Sequence, residues 1–279
     1  MLKSCLLTLL LLCSCLSQAA DLRLCQHAPE KYAYRLELTE LILARTAATF
    51  GSRQIAHPEQ VDPPQERCLH LLQNQQVDLA FVPPTAERLR DFAVIPVDLH
   101  QGMLGYRLLL IRRDQAERFA RVKTLEDLRQ LRGGFGSQWS DFSVFAANGL
   151  PVVGMANPNN LLAMLSQGRF DYYHRGLHEA WGDLEHHPEY PNLMVEPRLA
   201  LAYPMPVYFT FNRQDQALRQ RFEEGLRLIQ ADGSFAALFQ RHFGTIAERT
   251  GLQRRRLIHL DYPSAVDLPA TTSPAWLKR

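Results

Sequence analysis

His174 and Arg175 interrupt the end of a short apolar stretch. Residues 168–176 read Gly-Arg-Phe-Asp-Tyr-Tyr-His-Arg-Gly, and the apolar part predicts a strand over 170–173. In open parallel sheets, ligands bind beyond the carboxyl ends of the strands. We therefore expect His174 and Arg175 at the edge of a cleft, where a guanidinium can bind a carboxylate or phosphate bidentately. The structural alternative is an ion pair between Arg175 and Glu179, one helical turn further along.

Arg88 is a second candidate anion-binding residue. The segment from Thr85 to Arg88 follows a continuous apolar run at 77–82 across two prolines. That run is typical of a fully buried strand, so Thr85 and Arg88 also come after a carboxyl end. The alternative is a pair between Arg88 and a neighbouring acid on a helix surface.

Trp139, Ser140 and Asp141 form a third candidate group. They follow a short glycine-rich strand and lead into a predicted helix, whose free N–H groups can bind an anion while Trp139 covers a planar ligand. Alternatively, Ser140 and Asp141 only cap the helix and Trp139 is packed in the interior.

Signatures of metal binding and catalysis are weak. His186 and His187 are adjacent, so a helix or a strand would point their side chains apart, which does not favour a shared metal ion. The chain has no Gly-x-Ser-x-Gly segment and no nucleotide-type glycine loop. The run from Arg254 to Arg256 is typical of a solvated face. We expect no metal, no cofactor and no catalytic residues.

Alternating strands and helices must position these residues. Strands are predicted at 22–25, 54–56, 77–82, 92–97 and 104–111, with helices at 36–50 and 65–75. This alternation indicates a parallel sheet. A polar stretch from Arg112 to Lys123 marks the crossing into a second unit.

The second unit has the same style. Thr124 is predicted to cap a helix with Asp127 three residues on, before strands at 133–136, 150–153 and 170–173 and helices at 141–148, 159–167 and 177–184. A strand at 207–211 and amphipathic helices at 214–230 and 234–243 follow. The proline-containing tail after Tyr262 is predicted to be irregular.

The N-terminus predicts export. Lys3, an apolar run at 6–12 and small residues up to Ala20 have the three parts of a signal peptide, so 1–20 are not expected to belong to the fold. Residues 12–15 also resemble a lipobox, in which Cys15 would be lipidated. The formal charge of +2 becomes +1 without Lys3, which gives no general attraction for nucleic acid.

Two cysteines, Cys25 and Cys68, remain after the leader. They can form a disulfide in an exported protein, or stay buried as free thiols. In the commonest strand order of such sheets, the helix carrying Cys68 crosses above the strand carrying Cys25, which favours the disulfide.

Several segments in order resemble extracellular solute-binding protein family 3, which contains the amino-acid receptors of ABC importers. They are Thr-Leu-Glu-Asp-Leu at 124–128, 161–171 ending Gln-Gly-Arg-Phe-Asp, and 231–244 from Ala-Asp-Gly-Ser-Phe to Phe-Gly. The resemblance covers nearly all of 21–245, and residues 139–141, 148–150 and 170–176 look like an uncharacterised, divergent branch of this family.

The resemblance implies an α/β, two-lobed type II periplasmic-binding fold, in which each lobe is a parallel-type sheet flanked by helices and two hinge strands join the lobes. Lobe 1 would comprise 21–111 and 205–262, lobe 2 would comprise 112–204, and 263–279 would be the irregular tail. The lobes would close on the ligand by a hinge motion.

Arg88 matches the family's arginine that binds the ligand's α-carboxylate, because it ends a Thr-x-Glu-Arg segment. Other positions depart from the pattern. Pro83 replaces a threonine or serine, the first ligand loop at 26–34 is short, and the acid expected near Arg175 for the ligand's amino group is absent. With Arg175 in that place, we expect a small polar ligand that is anionic or amino-acid-like.

The implied function is that of a monomeric periplasmic solute-binding protein that presents its ligand to an inner-membrane ABC permease. A periplasmic ligand sensor for a membrane receptor is the second hypothesis. The third is a cyclohexadienyl-dehydratase-like enzyme on the same fold, with Glu87, Asp141 or Glu179 as its general acid.

Overall fold

The structure is a computed structural model that describes residues 21–56, 63–262 and 275–278. The predicted signal peptide, its alternative lipidation site at Cys15 and most of the predicted tail lie outside the described residues and stay predictions.

Helices and strands alternate along most of the chain. The helices are α1 (Pro29–Arg45), α2 (Ala47–Phe50), α3 (Gln65–Gln73), α4 (Ala86–Asp91), α5 (Ala116–Ala120), α6 (Leu125–Leu128), α7 (Phe142–Ala147), α8 (Leu161–Ser166), α9 (Ala180–His186), α10 (Gln216–Ala231), α11 (Ser234–Phe243) and α12 (Ile246–Thr250). The strands are β1 (Leu22–Arg23), β2 (Ile55–Ala56), β3 (Ala80–Val82), β4 (Phe92–Ile95), β5 (Tyr106–Arg112), β6 (Gly133–Gly136), β7 (Val152–Met155), β8 (Tyr172–Gly176), β9 (Leu193–Val195), β10 (Leu199–Ala202), β11 (Tyr208–Asn212) and β12 (Arg256–His259).

The strands pair in three groups within the described part of the chain. One is the parallel pair β1–β2, the second is β3–β11–β4, and the third is a mixed sheet in the order β12-β10-β5-β8-β6-β7, with β9 also on β5. A parallel bridge between Leu24 and Leu79 links the first two groups. Strand β6 pairs in parallel with β7 and β8, to which helices connect it, whereas β5 and β11 pair antiparallel with all their neighbours. The fold class is therefore α/β, as predicted.

Local sequence signals explain several elements. Thr124 and Asp127 form the predicted capping box at the start of α6. The glycines of β6 allow close packing of aromatic rings, since a Cβ on Gly134 would lie 2.2 Å from the Phe170 ring. The strand at 133–136 and the helix at 234–243 have the predicted bounds.

Strand β8 begins and ends later than predicted, at Tyr172 and Gly176 in place of residues 170 and 173. It runs to Gly176, so His174 and Arg175 lie within the strand, opposite Leu109 and Leu108 of β5, and do not follow it. The backbone of β5 provides hydrogen-bond partners for this extension, and the His174 ring stacks on Phe135 with 4.3 Å between ring centroids.

The first helix also begins earlier than predicted, at Pro29 and not at residue 36. Proline is favourable at the first position of a helix, where its missing N–H is not needed. Residues 29–34, which the resemblance assigned to a ligand loop, therefore form the first turns of α1.

Elements near the C-terminus were not predicted. Strand β12 extends the mixed sheet beside β10, and residues 275–278 form a 3₁₀ turn. Trp276 is buried and donates its indole N–H to the carbonyl oxygen of Gln101 at 2.9 Å. The expected irregular tail is therefore wrong for these four residues, because Trp276 finds an aromatic site against Tyr106 and Phe239. The residue bounds of the two lobes stay predictions.

A disulfide joins Cys25 to Cys68. Both cysteines are buried in a small apolar cluster with Leu72, Val77 and Ala80. The bridge connects the end of the first strand region to α3, and the alternative of two free thiols does not apply to this structure.

Candidate functional site

One cavity has a volume of about 830 Å³ and is lined by residues from the chain around β3 and from the mixed sheet, among others. One wall comes from residues before and within the first half of α1, from the chain after β3, and from His242 and Phe243. Further lining residues come from the segment before α7, from the end of β8 and from the chain leading into and along α9. Arg107 of β5, together with Met205 and Val207 after β10, also lines the cavity.

Five of the seven predicted ligand-binding residues line this cavity together: Trp139, Ser140, Asp141, His174 and Arg175. They come from two segments that lie more than thirty residues apart in the chain. The parallel pairing of β6 with β8 places the ends of these two strands side by side, which accounts for the juxtaposition.

Arg88 and Thr85 are not among the residues that line the cavity. The Arg88 guanidinium donates to the carbonyl oxygen of Pro83 and to the carboxylate of Glu66, both at 2.8 Å. The Thr85 hydroxyl accepts from the backbone N–H of Arg88 and caps α4. The carboxylate-binding role of Arg88 stays a prediction; in this structure its donors connect α4 to α3.

Asp141 is the centre of a buried polar cluster. Its Oδ2 accepts from the Tyr203 hydroxyl at 2.7 Å and from Arg107 Nη2 at 3.3 Å, and it lies 3.6 Å from His174 Nε2. Its side chain makes no capping hydrogen bond to α7, so the alternative of a simple cap does not apply. Burial alone would raise the pKa of Asp141, but contacts with His174, Arg107 and Tyr203 outweigh burial and lower that pKa.

Arg175 lies beside two acids of the following helix region. Its Nη2 lies 3.4 Å from Glu179 Oε1 and donates to Asp183 Oδ1 at 3.2 Å. The guanidinium also lies over the rings of Trp139 and Tyr173, 5.9 and 5.3 Å from their centroids. The alternative pairing with Glu179 therefore occurs, within the cavity wall.

Three polar side-chain atoms around the cavity are buried and have neither a hydrogen-bond partner nor an ion-pair partner within the described residues: His100 Nδ1, Ser140 Oγ and His174 Nδ1. Burial lowers the pKa of both histidines, so their rings are neutral at neutral pH. The proximity of Asp141 to Nε2 of His174 favours the proton on that nitrogen, which leaves Nδ1 as an acceptor.

Sequence reasoning missed several cavity residues, including Arg35, His100, Arg107 and Asp183. Arg107 carried the same signal as His174, a polar residue at the apolar run of a strand, and could have been found that way. Arg35 and His100 carry no local signal, because only the packing of α1 against the region before β5 brings them to the cavity.

Of the other motifs, His187 lines the cavity, and its Nδ1 lies 2.9 Å from Oε1 of Glu189. No group of three or more histidine, cysteine or acidic residues within the described ranges could hold a metal ion. Arg255 donates to the carbonyl oxygens of Thr250 and Leu199, so it is not part of a solvated face. Across the described ranges, no helix is long and apolar enough to cross a bilayer.

Comparison with known proteins gives structural matches only. No protein-family model matches the chain, and no curated protein matches it. An ancestral arginine-binding protein bound to glutamine superposes with a TM-score of 0.60 at 15% identity, over 80% of this chain and 98% of that one. A periplasmic binding protein with high arginine specificity from Salmonella typhimurium gives a TM-score of 0.57 at 11% identity, over 80% and 99% of the two chains.

A third match is of a different kind. It is a histidine kinase sensor domain with similarity to periplasmic binding proteins, with a TM-score of 0.56 at 19% identity, over 75% of this chain and 84% of that one. At such identities the likeness shows the fold alone. The chain has the α/β fold of type II periplasmic binding proteins, as the resemblance in its sequence implied.

Proposed function

We propose that this protein is a periplasmic receptor that captures a small polar, amino-acid-like solute in the cavity and presents it to an ABC-type importer. The observation that carries the proposal is the set of three buried, unpartnered atoms on His100, Ser140 and His174, which all belong to one cavity. Nearly all buried polar atoms in folded proteins are hydrogen-bonded. We infer that the polar groups of a bound solute supply the hydrogen-bond partners of these three atoms.

The size of the cavity supports a small ligand. Its volume of about 830 Å³ lies within the range of roughly 300 to 1,000 Å³ typical of small-molecule sites. Aromatic side chains, including Tyr34, Trp139 and Phe243, provide apolar contact area between the polar groups.

The charges of the lining favour a neutral or zwitterionic solute over an anion. Four basic residues (Lys31, Arg35, Arg107 and Arg175) stand against four acidic ones (Glu30, Asp141, Glu179 and Asp183). The anionic ligand expected from the sequence depended on Arg88 and Arg175, and each of them has a carboxylate partner. We therefore keep the amino-acid-like ligand and drop the preference for an anion.

The structural neighbours support this choice of ligand class. One is bound to glutamine and another has high specificity for arginine. Because the likeness extends only to the fold, these ligands define which compounds to test first, and the solute of this protein is identified by experiment.

A sensor role is the second candidate, and the match to a histidine kinase sensor domain favours it. Both roles use the same cavity and differ in the partner. Deletion of the gene would abolish uptake of the labelled solute in the importer case. In the sensor case, uptake would persist and a transcriptional response to the solute would be lost.

The dehydratase hypothesis lacks a suitable proton donor among its three nominated acids. Glu87 is exposed and does not line the cavity. Burial would raise the pKa of Asp141 and Glu179, but arginine and histidine neighbours outweigh it and lower both pKa values, so both side chains are ionised at neutral pH. An ionised carboxylate cannot act as a general acid.

The test is a thermal-shift screen of the purified protein against amino acids, neutral polar solutes and dicarboxylates. A solute at a hundred times its dissociation constant adds roughly 2.7 kcal/mol, which raises the melting temperature by several degrees. Ser140→Ala should weaken binding of the hit about 2- to 10-fold, the usual effect of one lost neutral hydrogen bond. Ser137→Ala, a nearby exposed serine outside the cavity lining, should leave it unchanged. Equal affinity of both variants, or hits confined to dicarboxylates, would contradict the proposal.

A further inference from the structure

Arg175 occupies a position in the cavity wall that has the chemistry of a cation-binding site. Glu179 and Asp183 are four residues apart in the α9 region, so both carboxylates lie on the same side of the helix. Trp139 and Tyr173 add two ring faces that are nearly parallel, at an interplanar angle of 24° with centroids 6.1 Å apart. Acidic oxygens combined with aromatic faces form an environment that binds guanidinium and ammonium groups.

The Arg175 guanidinium fills this position from within. It contacts both carboxylates and lies over both rings, and its side chain is only 17% exposed. Its backbone is fixed by pairing of β8 with β5, so the guanidinium cannot leave the position without a change of rotamer in a packed wall. All five residues of this arrangement line the cavity.

We propose that Arg175 is a specificity-determining residue, whose guanidinium takes the cation position of the cavity and so excludes ligands that carry a basic side chain. The inference rests on the proposed function only in that the cavity is the ligand site. Amino-acid-like solutes with a basic side chain are the class that the cavity rejects, and removal of Arg175 is expected to open a site for a guanidinium.

The alternative is that Arg175 is a structural ion pair and leaves no usable site when removed. Both roles predict some loss of stability in an Arg175 variant, because two carboxylates would each lose a cationic partner. Only the specificity role predicts a gain of binding, so the experiment measures binding of a new ligand.

The experiment is a calorimetric titration of Arg175→Met with methylguanidinium, with methylurea as the uncharged compound of the same shape. Methionine keeps an apolar chain against the rings and removes the charge. The matched control is Arg112→Met, since Arg112 also has a side-chain exposure of 17% and pairs with an acid, Asp114, but lies outside the cavity lining.

We expect saturable binding of methylguanidinium to Arg175→Met, at least about tenfold tighter than to the wild type or to Arg112→Met, and no binding of methylurea. If Arg175→Met does not fold, the same titration uses Arg175→Met/Asp183→Asn, which keeps one carboxylate and relieves the excess negative charge. Equal binding by the wild type, or none by the Arg175 variants, would overturn the inference. Neither result depends on whether the wild-type protein yields a hit in the solute screen, so failure here and failure of the proposed function are separate outcomes.

Discussion

Replacement of Asp141 by asparagine should destabilise the protein strongly, because it leaves a buried arginine without its anion. Asp141 is 3% exposed, and its partner Arg107 has a side chain that is 11% exposed. Breaking a buried ion pair on one side usually costs about 3 to 5 kcal/mol, since the remaining charge stays desolvated. Asparagine preserves the shape of the side chain, so the loss reports the charge.

The assay is urea unfolding followed by circular dichroism, together with the melting temperature. At about 2 to 4 °C per kcal/mol for a protein of this size, the expected decrease is about 6 to 20 °C. The control is Glu126→Gln, which removes an exposed partner of Arg129 and should cost less than about 1 kcal/mol.

The loss of stability in Asp141→Asn should depend on pH. The pKa of Asp141 is lowered in the folded protein, so its contribution is complete above the ordinary aspartate value near 4 and is lost as the pH falls toward the folded value. The difference between wild type and Asp141→Asn should therefore be constant from pH 7 to about pH 5 and shrink below about pH 4, by at most about 1.4 kcal/mol per pH unit. Two results would refute this role of Asp141. One is a loss of stability at pH 7 as small as that of Glu126→Gln, and the other is a loss that grows as the pH falls.

Three further predictions concern stability. Replacing both Cys25 and Cys68 by alanine should lower the free energy of unfolding by up to about 4 kcal/mol, the chain-entropy value for a loop closed over a sequence separation of 43 residues. Urea unfolding of the oxidised, reduced and mutant proteins measures this loss. Identical unfolding curves would contradict the prediction. Gly134→Ala should cost about 1 to 3 kcal/mol or more through its clash with Phe170, and a neutral effect in the same assay would show that the ring can move. Trp276→Ala should lower the melting temperature by several degrees if the C-terminal turn is part of the core, because a buried indole is lost; an unchanged value would mean that the turn contributes nothing.

Local patterns were sufficient to predict much of the fold. Thr124 with Asp127, the glycine strand of β6 and the amphipathic helix α11 each depend on residues within one segment. Strand–helix alternation identified the α/β class, since it requires no knowledge of distant contacts.

The site was predicted only in part, because its details depend on partners that are distant in the chain. The end of β8 is stable as a strand because His174 finds Asp141 and Phe135, more than thirty residues earlier. Arg88 forms an ion pair with Glu66 of α3, a contact that no local pattern predicts.

The predicted preference for an anionic ligand stays a prediction, and the contacts of Arg175 do not favour it. Arg175 has the carboxylate of Glu179 one turn further on, which the sequence offered as an alternative, and that of Asp183 two turns on, which it did not indicate. The acid that the resemblance places beside Arg175 is absent there, but two acids reach the same part of the cavity from α9.

The most direct test of the ligand site is hydrogen–deuterium exchange with and without the solute found in the screen. We predict slower exchange in the segments that carry Ser140, His174 and His100, and no change in α6, which does not contribute to the cavity lining. Protection confined to these segments would support capture of the solute in the cavity. Protection at another surface, with unchanged exchange around Ser140 and His174, would contradict the proposal that this cavity is the binding site.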